Sequence, residues 1–233
     1  MISTSIVRMT SRLSSAVVFL AAAFIFLAPA HANPIDYQVT IDTSSLFPSS
    51  SGTYSGYLDL QFNPGVLPGT QDAVASVALQ TCSCVFGIGT ATGSVNTFPP
   101  GLGALFLNST AFNDYFIPVN FSGDISFDVK IDGDAVESSN PTAISGTSFG
   151  VSLYDGTGTM PLLTSDPDGF LAVLNLNVGG SLTTENFPNA DGGPSAVTLT
   201  NLGAPPPSSV PEPGTLLLLG TGVVARIVLA RRV

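Results

Sequence analysis

From Asp124 to Asp132 the chain alternates without a break. Ile125, Phe127, Val129 and Ile131 fall on one side, and Asp124, Ser126, Asp128, Lys130 and Asp132 on the other. A period of two predicts a strand with one face in a core and one in water. The same pattern sets Tyr37, Val39 and Ile41 against Asp36, Gln38, Thr40 and Asp42, and Leu58, Leu60 and Phe62 against Tyr57, Asp59 and Gln61. Asn63-Pro64-Gly65 is expected to break the latter strand. Residues 73–86 carry small and β-branched residues without helical spacing and read as one longer strand or a strand pair. Residues 87–103 are rich in Gly and Thr and hold Pro99-Pro100, so they read as loop. Further strands are expected at 115–121, 148–154, 170–178 and 196–202. Asp132-Gly133, Asp155-Gly156-Thr157-Gly158, Asp166-Pro167-Asp168-Gly169 and Asp191-Gly192-Gly193-Pro194 supply turns.

The body shows no amphipathic helical period. About eight strands at this spacing predict an all-β body, an antiparallel β-sandwich of the jelly-roll or Ig-like kind. No internal repeat stands out. Composition agrees: 9% charged and 44% hydrophobic residues, with Gly 24 and Pro 18. That balance is the reverse of a disordered chain.

Both ends carry a different pattern. Arg8 and Arg12 lie in a Ser/Thr-rich opening, an apolar run follows from Ala16 to Leu27, and Ala28-Pro29-Ala30-His31-Ala32 closes it. This is the plan of a secretory signal peptide over residues 1–32, with cleavage expected after Ala32 or, as second choice, Ala30. The competing reading is an uncleaved anchor, for which the apolar run is short. Signal peptidase and the Sec machinery are the partners this implies. The body then spans 33–203, followed by a polyproline linker at 204–209. Residues 210–233 hold Val210-Pro211-Glu212-Pro213, a near-continuous apolar run from Thr215 to Ala230, and the closing Arg231, Arg232 and Val233.

As a helix, the run from Thr215 to Ala230 is about 24 Å long, against a hydrocarbon core of about 30 Å. Arg226 lies within it and would snorkel toward the side of Arg231 and Arg232. The three arginines form a basic stop that keeps this end cytoplasmic and leaves the body outside. The competing reading is a buried amphipathic helix, which the preceding prolines and following arginines fit poorly.

Charge and residue types exclude several functions. His31 is the sole histidine and leaves with the signal segment. In the body, fifteen acids face one cation, Lys130. A surface of that sign repels phosphate backbones, so no nucleic-acid partner is expected. Without histidine, Ser-His-Asp and Cys-His catalysis and His-ligated zinc fall away. Lys130, between Asp128 and Asp132 on the outer face, reads as one half of a solvated ion pair. Fifteen acids leave a carboxylate pair open in principle, but the chain has no Trp to floor a sugar cleft.

Two further features bear on chemistry. Cys82-Ser83-Cys84 places two thiols on one side of a strand, where a direct bridge closes a tight ring. A local structural disulfide, intermolecular pairing, and a redox or metal role are the readings. Asp128, Asp132, Asp134 and Glu137 are the densest acidic cluster. Oxygen ligands beside the Gly133 turn would suit Ca²⁺, although the spacing is not that of an EF-hand loop. The bland reading is a solvated turn, and no other cofactor is expected.

The block at 210–233, with its Pro-rich signature, membrane-length run and basic stop in that order, resembles the PEP-CTERM sorting signal of Gram-negative envelope proteins. The body stretches Gly56–Gly65 and Val151–Asp155 are similar to those of other proteins carrying this signal. The resemblance implies recognition and processing by an exosortase, transient inner-membrane insertion, and delivery to the cell surface or medium. It also implies association with exopolysaccharide or biofilm matrix. The expected role is non-enzymatic. The alternatives are a calcium-dependent carbohydrate-binding module and a carboxylate-based polysaccharide hydrolase.

Overall fold

The computed structural model describes residues 34–47, 52–80, 82–137, 140 and 142–203. The expected signal segment, the linker, the sorting block and its membrane run lie outside the described residues. Among the described residues no helix is long and apolar enough to cross a membrane.

Thirteen strands are present among the described residues: β1 (Ile35–Ile41), β2 (Tyr54–Pro64), β3 (Val74–Leu79), β4 (Cys84–Phe86), β5 (Thr90–Thr92), β6 (Val95–Thr97), β7 (Gly103–Leu107), β8 (Asp114–Phe121), β9 (Ile125–Asp132), β10 (Thr147–Tyr154), β11 (Phe170–Leu176), β12 (Leu182–Asn186) and β13 (Val197–Asn201). A 3-10 turn at Ser44–Leu46 and one helical turn at Asp134–Glu137 are the described helical pieces. The first sheet runs β13-β1-β9-β3-β7-β6. The second runs β12-β11-β10-β2-β8-β4, with β5 also beside β8. Neighbouring strands are antiparallel in both.

Period-two patterning builds the core from both sides. Ile125, Phe127, Val129 and Ile131 on β9 are at most 1% exposed, and they meet Val39 and Ile41 of β1 and Ala75 and Val77 of β3 in one cluster. From the second sheet come Leu58, Leu60 and Phe62, Ile117 and Phe121, and Phe149, Val151 and Leu153. Phe106 of the first sheet meets Phe149 of the second edge to face, with ring centroids 5.9 Å apart at 88°. Each fully buried Phe or Leu contributes about 1.5–3 kcal/mol of transfer free energy. A chain with little charge and no Trp in its sequence therefore holds together on Phe, Leu, Ile and Val.

Two buried asparagines join strand ends to the core. Asn113 Nδ2 donates to the carbonyls of Phe62 and Thr110, and its Oδ1 accepts the Ser94 amide. Asn108 Oδ1 accepts the Ala73 amide, while its Nδ2 donates to the Gln71 carbonyl and to Thr147 Oγ1 on the second sheet. Both are satisfied on each polar atom, which is the condition for burying an amide.

The structure corrects the sequence in three places and decides between two readings in a fourth. The strand expected to stop at Asn63-Pro64 continues through Pro64, which pairs with Thr147. Asn63 supports this end, because its Oδ1 accepts the Asn113 amide. Of the two readings of 73–86, one longer strand or two, the structure has two, β3 and β4, which lie in different sheets. The expected loop at 87–103 contains β5 and β6. β5 is exposed throughout and is held by pairing to the edge of β8, so no apolar alternation marks it. β7 and β12 were not expected, which takes the count well past eight.

Candidate functional site

The acids singled out by spacing are dispersed. Asp128 and Asp132 are four residues apart on β9, about 13 Å of extended chain. Asp128 Oδ2 accepts from Gln80 Nε2 at 2.5 Å, while Asp132 Oδ1 caps the Gly133 amide at 2.8 Å. Asp134 and Glu137 lie on the helical turn that follows. Among the described residues no group of three or more His, Cys, Asp or Glu gathers as a metal site. Of the four acids expected as calcium ligands, Asp128 and Asp132 are spaced along the strand and Asp134 and Glu137 follow on the turn. Lys130 lies 3.8 Å from Asp132, with both side chains well exposed. Exposed pairs of this kind contribute little.

Cys82 and Cys84 are bonded to each other, with Cα atoms 5.0 Å apart. Cys84 opens β4, which pairs with β8 through Cys84 and Phe121. The bridge thus sits at the edge of the second sheet. Val210, Pro211, Glu212, Pro213, Arg226, Arg231 and Arg232 lie outside the described residues.

A different pair of acids is brought together. The alternation of β2 points Tyr57, Asp59 and Gln61 away from the core, yet Asp59 is only 5% exposed. In the register, Asp59 faces Ser152 on β10 and Phe116 on β8, and the next outward residue, Gln61, faces Asp114 on β8. Asp59 and Asp114 are therefore diagonal neighbours on one face. The two carboxyls are near enough for Asp59 to act on the titration of Asp114. Gln61 Nε2 donates to Asp59 Oδ2 at 2.9 Å.

Aromatic rings cover this face. Tyr57 and Phe116 stack with centroids 4.6 Å apart at 11°, and Tyr154 tilts against Phe116 at 5.8 Å. The Asp155 turn follows directly. Its carboxylate accepts from Thr157 Oγ1 and from the amides of Thr157, Thr159 and Met160, which holds its pKa below the usual carboxylate range. Gly158, at φ +71, carries this turn past the stack so closely that an added Cβ would lie 3.2 Å from Phe116 Cζ. On the far side the Phe170 ring lies over Gly150, where a Cβ would come within 2.4 Å of Cε1. A shift in the β10–β11 register between Val151 and Ser152 accompanies it.

Burial dictates the electrostatics. Desolvation is the largest influence on Asp114, followed by its hydrogen bond to Asp59 and the Asp59 charge, and together they push its pKa up to about 8. Asp114 consequently keeps its proton at neutral pH. Tyr154 is also raised, by burial first and then by the charge of Asp59. Asp59 and Asp114 form a carboxyl pair in which one member stays neutral. What it can hold is a proton or a hard cation.

The sequence hid this site. Asp59 sat on a strand face read as solvated, and Asp114 belonged to no cluster. Tyr57, Phe116 and Tyr154 at outward positions were the available signal, since apolar rings on a polar face shield whatever lies beside them.

Comparison with known proteins adds one finding outside the body. A family model described as the PEP-CTERM protein-sorting motif matches residues 209–232. The match takes in Val210-Pro211-Glu212-Pro213 and the three closing-segment arginines. No curated protein and no solved structure matches the chain.

Proposed function

From the PEP-CTERM protein-sorting motif that this chain carries, we propose a non-enzymatic surface or extracellular protein, held in exopolysaccharide or biofilm matrix. The motif at 209–232 is the observation that carries the reading. It indicates an exported protein with an exosortase as processing partner. On this account the Sec machinery exports the chain, signal peptidase removes 1–32, and the segment from Thr215 to Ala230 sits transiently in the inner membrane. The body delivered is a β-sandwich of the jelly-roll or Ig-like kind. Two antiparallel sheets with one shared core support that assignment.

The absence of His and Arg from residues 33–204 supports a non-catalytic role. Carbohydrate binding is the second reading. The half-exposed Tyr57, Phe116 and Tyr154 favour it, because rings on a sheet face offer sugars a stacking surface.

Replacing Pro211, Glu212 and Pro213 by alanine tests the sorting. The wild-type protein is expected at the surface or in the medium, and the variant is expected to stay in the inner-membrane fraction. Equal distribution of the two overturns the reading. Co-sedimentation with the host's purified exopolysaccharide tests the matrix role, which fails if the protein remains in the supernatant.

A further inference from the structure

Among the described residues, β13 ends the first sheet and β12 ends the second. Asn186 Nδ2, at the end of β12, donates to the Val197 carbonyl at the start of β13 at 3.1 Å, so the two edges lie along one flank. Exposed edge strands are commonly blunted by charge, proline or a bulge. β12 carries Glu185. β13 carries none of these devices. Val197-Thr198-Leu199-Thr200-Asn201 has no charge, proline or glycine, and it keeps an unbroken register with β1.

That register shows which backbone groups of β13 are open. Ile41 faces Val197 and Tyr37 faces Asn201. In step with this, the Asp42 amide donates to the Ala196 carbonyl, and the Leu202 amide donates to the Asp36 carbonyl. Bonding alternates along an antiparallel pair. Residues 196, 198, 200 and 202 therefore bond to β1, while Val197, Leu199 and Asn201 turn their amides and carbonyls outward. Val197 is already served, its amide by Ser195 Oγ at 3.1 Å and its carbonyl by Asn186. Gly203, at φ +56, turns the chain out of the strand at the other end. Between these stops, the amides and carbonyls of Leu199 and Asn201 meet no strand among the described residues.

We propose that this edge is a docking surface for a second copy of the chain, by antiparallel pairing of β13 with its counterpart about a two-fold axis at Thr200. The open groups are self-complementary. Leu199 of one copy faces Asn201 of the other, and the reverse, so each amide meets a carbonyl. Thr200 then faces its own counterpart as a non-hydrogen-bonded pair, with Cα atoms about 4.5 Å apart. Thr opposite Thr is a favourable cross-strand pair. No like charges meet on the strand, whereas β12 paired with its counterpart about Thr184 would set Glu185 diagonally across from itself. One strand of contact makes a weak, reversible dimer rather than an obligate one. The contact is independent of how the chain is sorted.

Cross-linking through the axis provides the test. Thr200 is exposed, and Cys82 and Cys84 are bonded to each other, so Thr200→Cys adds a free thiol without touching the core. A Cα separation of about 4.5 Å is within reach of a disulfide. With the full-length protein in detergent, mild oxidation of Thr200→Cys should give a covalent dimer. Asn96→Cys, exposed on β6 at the opposite edge of the same sheet, should stay monomeric. Sedimentation equilibrium supplies a second measurement. The wild-type mass should double as protein concentration rises. Thr200→Lys, which sets like charges on the axis, should hold the monomer mass throughout. No covalent dimer from Thr200→Cys, equal cross-linking from Asn96→Cys, or a Thr200→Lys protein that dimerises like the wild type overturns the proposal.

Discussion

At Asp114 a single proton links burial to stability. Its folded pKa is raised to about 8, with desolvation first among the causes and Asp59 behind the rest. A carboxyl raised in this way contributes stability that is fully present below the unfolded value of about 4 and is lost as pH climbs through the folded value. In metal-free buffer the protein should therefore lose stability from pH 4 toward pH 8, with Asp114 as a named contributor. Asp114→Asn fixes the neutral form, so its melting temperature should overtake that of the wild type as pH passes from 5 to 9. Thermal melts of the two proteins across that range check it, and parallel curves count against it. Phe127, fully buried between sheets, is the opposite kind of residue, with no charge and all of its worth in packing. Phe127→Ala should cost about 3–5 kcal/mol in urea unfolding at any pH.

At the scale of the element, the strands legible in the sequence were those with one clean face. β9 and β1 alternate apolar and polar residues, and their buried positions fall as the alternation says. β5, β6 and β12 were illegible because their stability is borrowed from neighbours. Strands of three or five mostly exposed residues paired to a neighbour need at most one apolar contact, Val95 in β6 and Leu182 in β12. The site failed for a related reason. Asp59 obeys the alternation, but rings from β8 and β10 close over it, and a one-strand pattern carries no information about a neighbour's side chains. The Cys82–Cys84 bridge closes so short a loop that Cys82→Ser with Cys84→Ser should cost only about 1.5 kcal/mol. The β10–β11 pair gives a sharper test. Gly150 makes room for the Phe170 ring, and Gly150→Ala puts a Cβ where Cε1 now lies. A destabilisation of about 1–3 kcal/mol is expected from that overpacking. Combining Gly150→Ala with Phe170→Leu should recover part of it, as a double-mutant cycle would show.

At the scale of the whole molecule, the body and the terminal block speak to different questions. The body is two antiparallel sheets around one apolar core. The block at 209–232 is an address. It was the most legible feature because a sorting signal is read by another protein as linear order: a short Pro-rich motif, an apolar run and a basic end. The buried acidic pair, by contrast, is assembled from strands far apart in sequence, with Asp59 on β2 and Asp114 on β8.

The central claim is that the chain is cut and delivered by an exosortase, and intact mass tests it most directly. The protein would be recovered from the surface or medium of its host, with and without the exosortase gene. The account predicts a species beginning near Asn33 and ending near Val210–Pro213, present only with the exosortase. A species that keeps Arg231 and Arg232 in both strains would contradict it, and the tail would then be a plain membrane anchor.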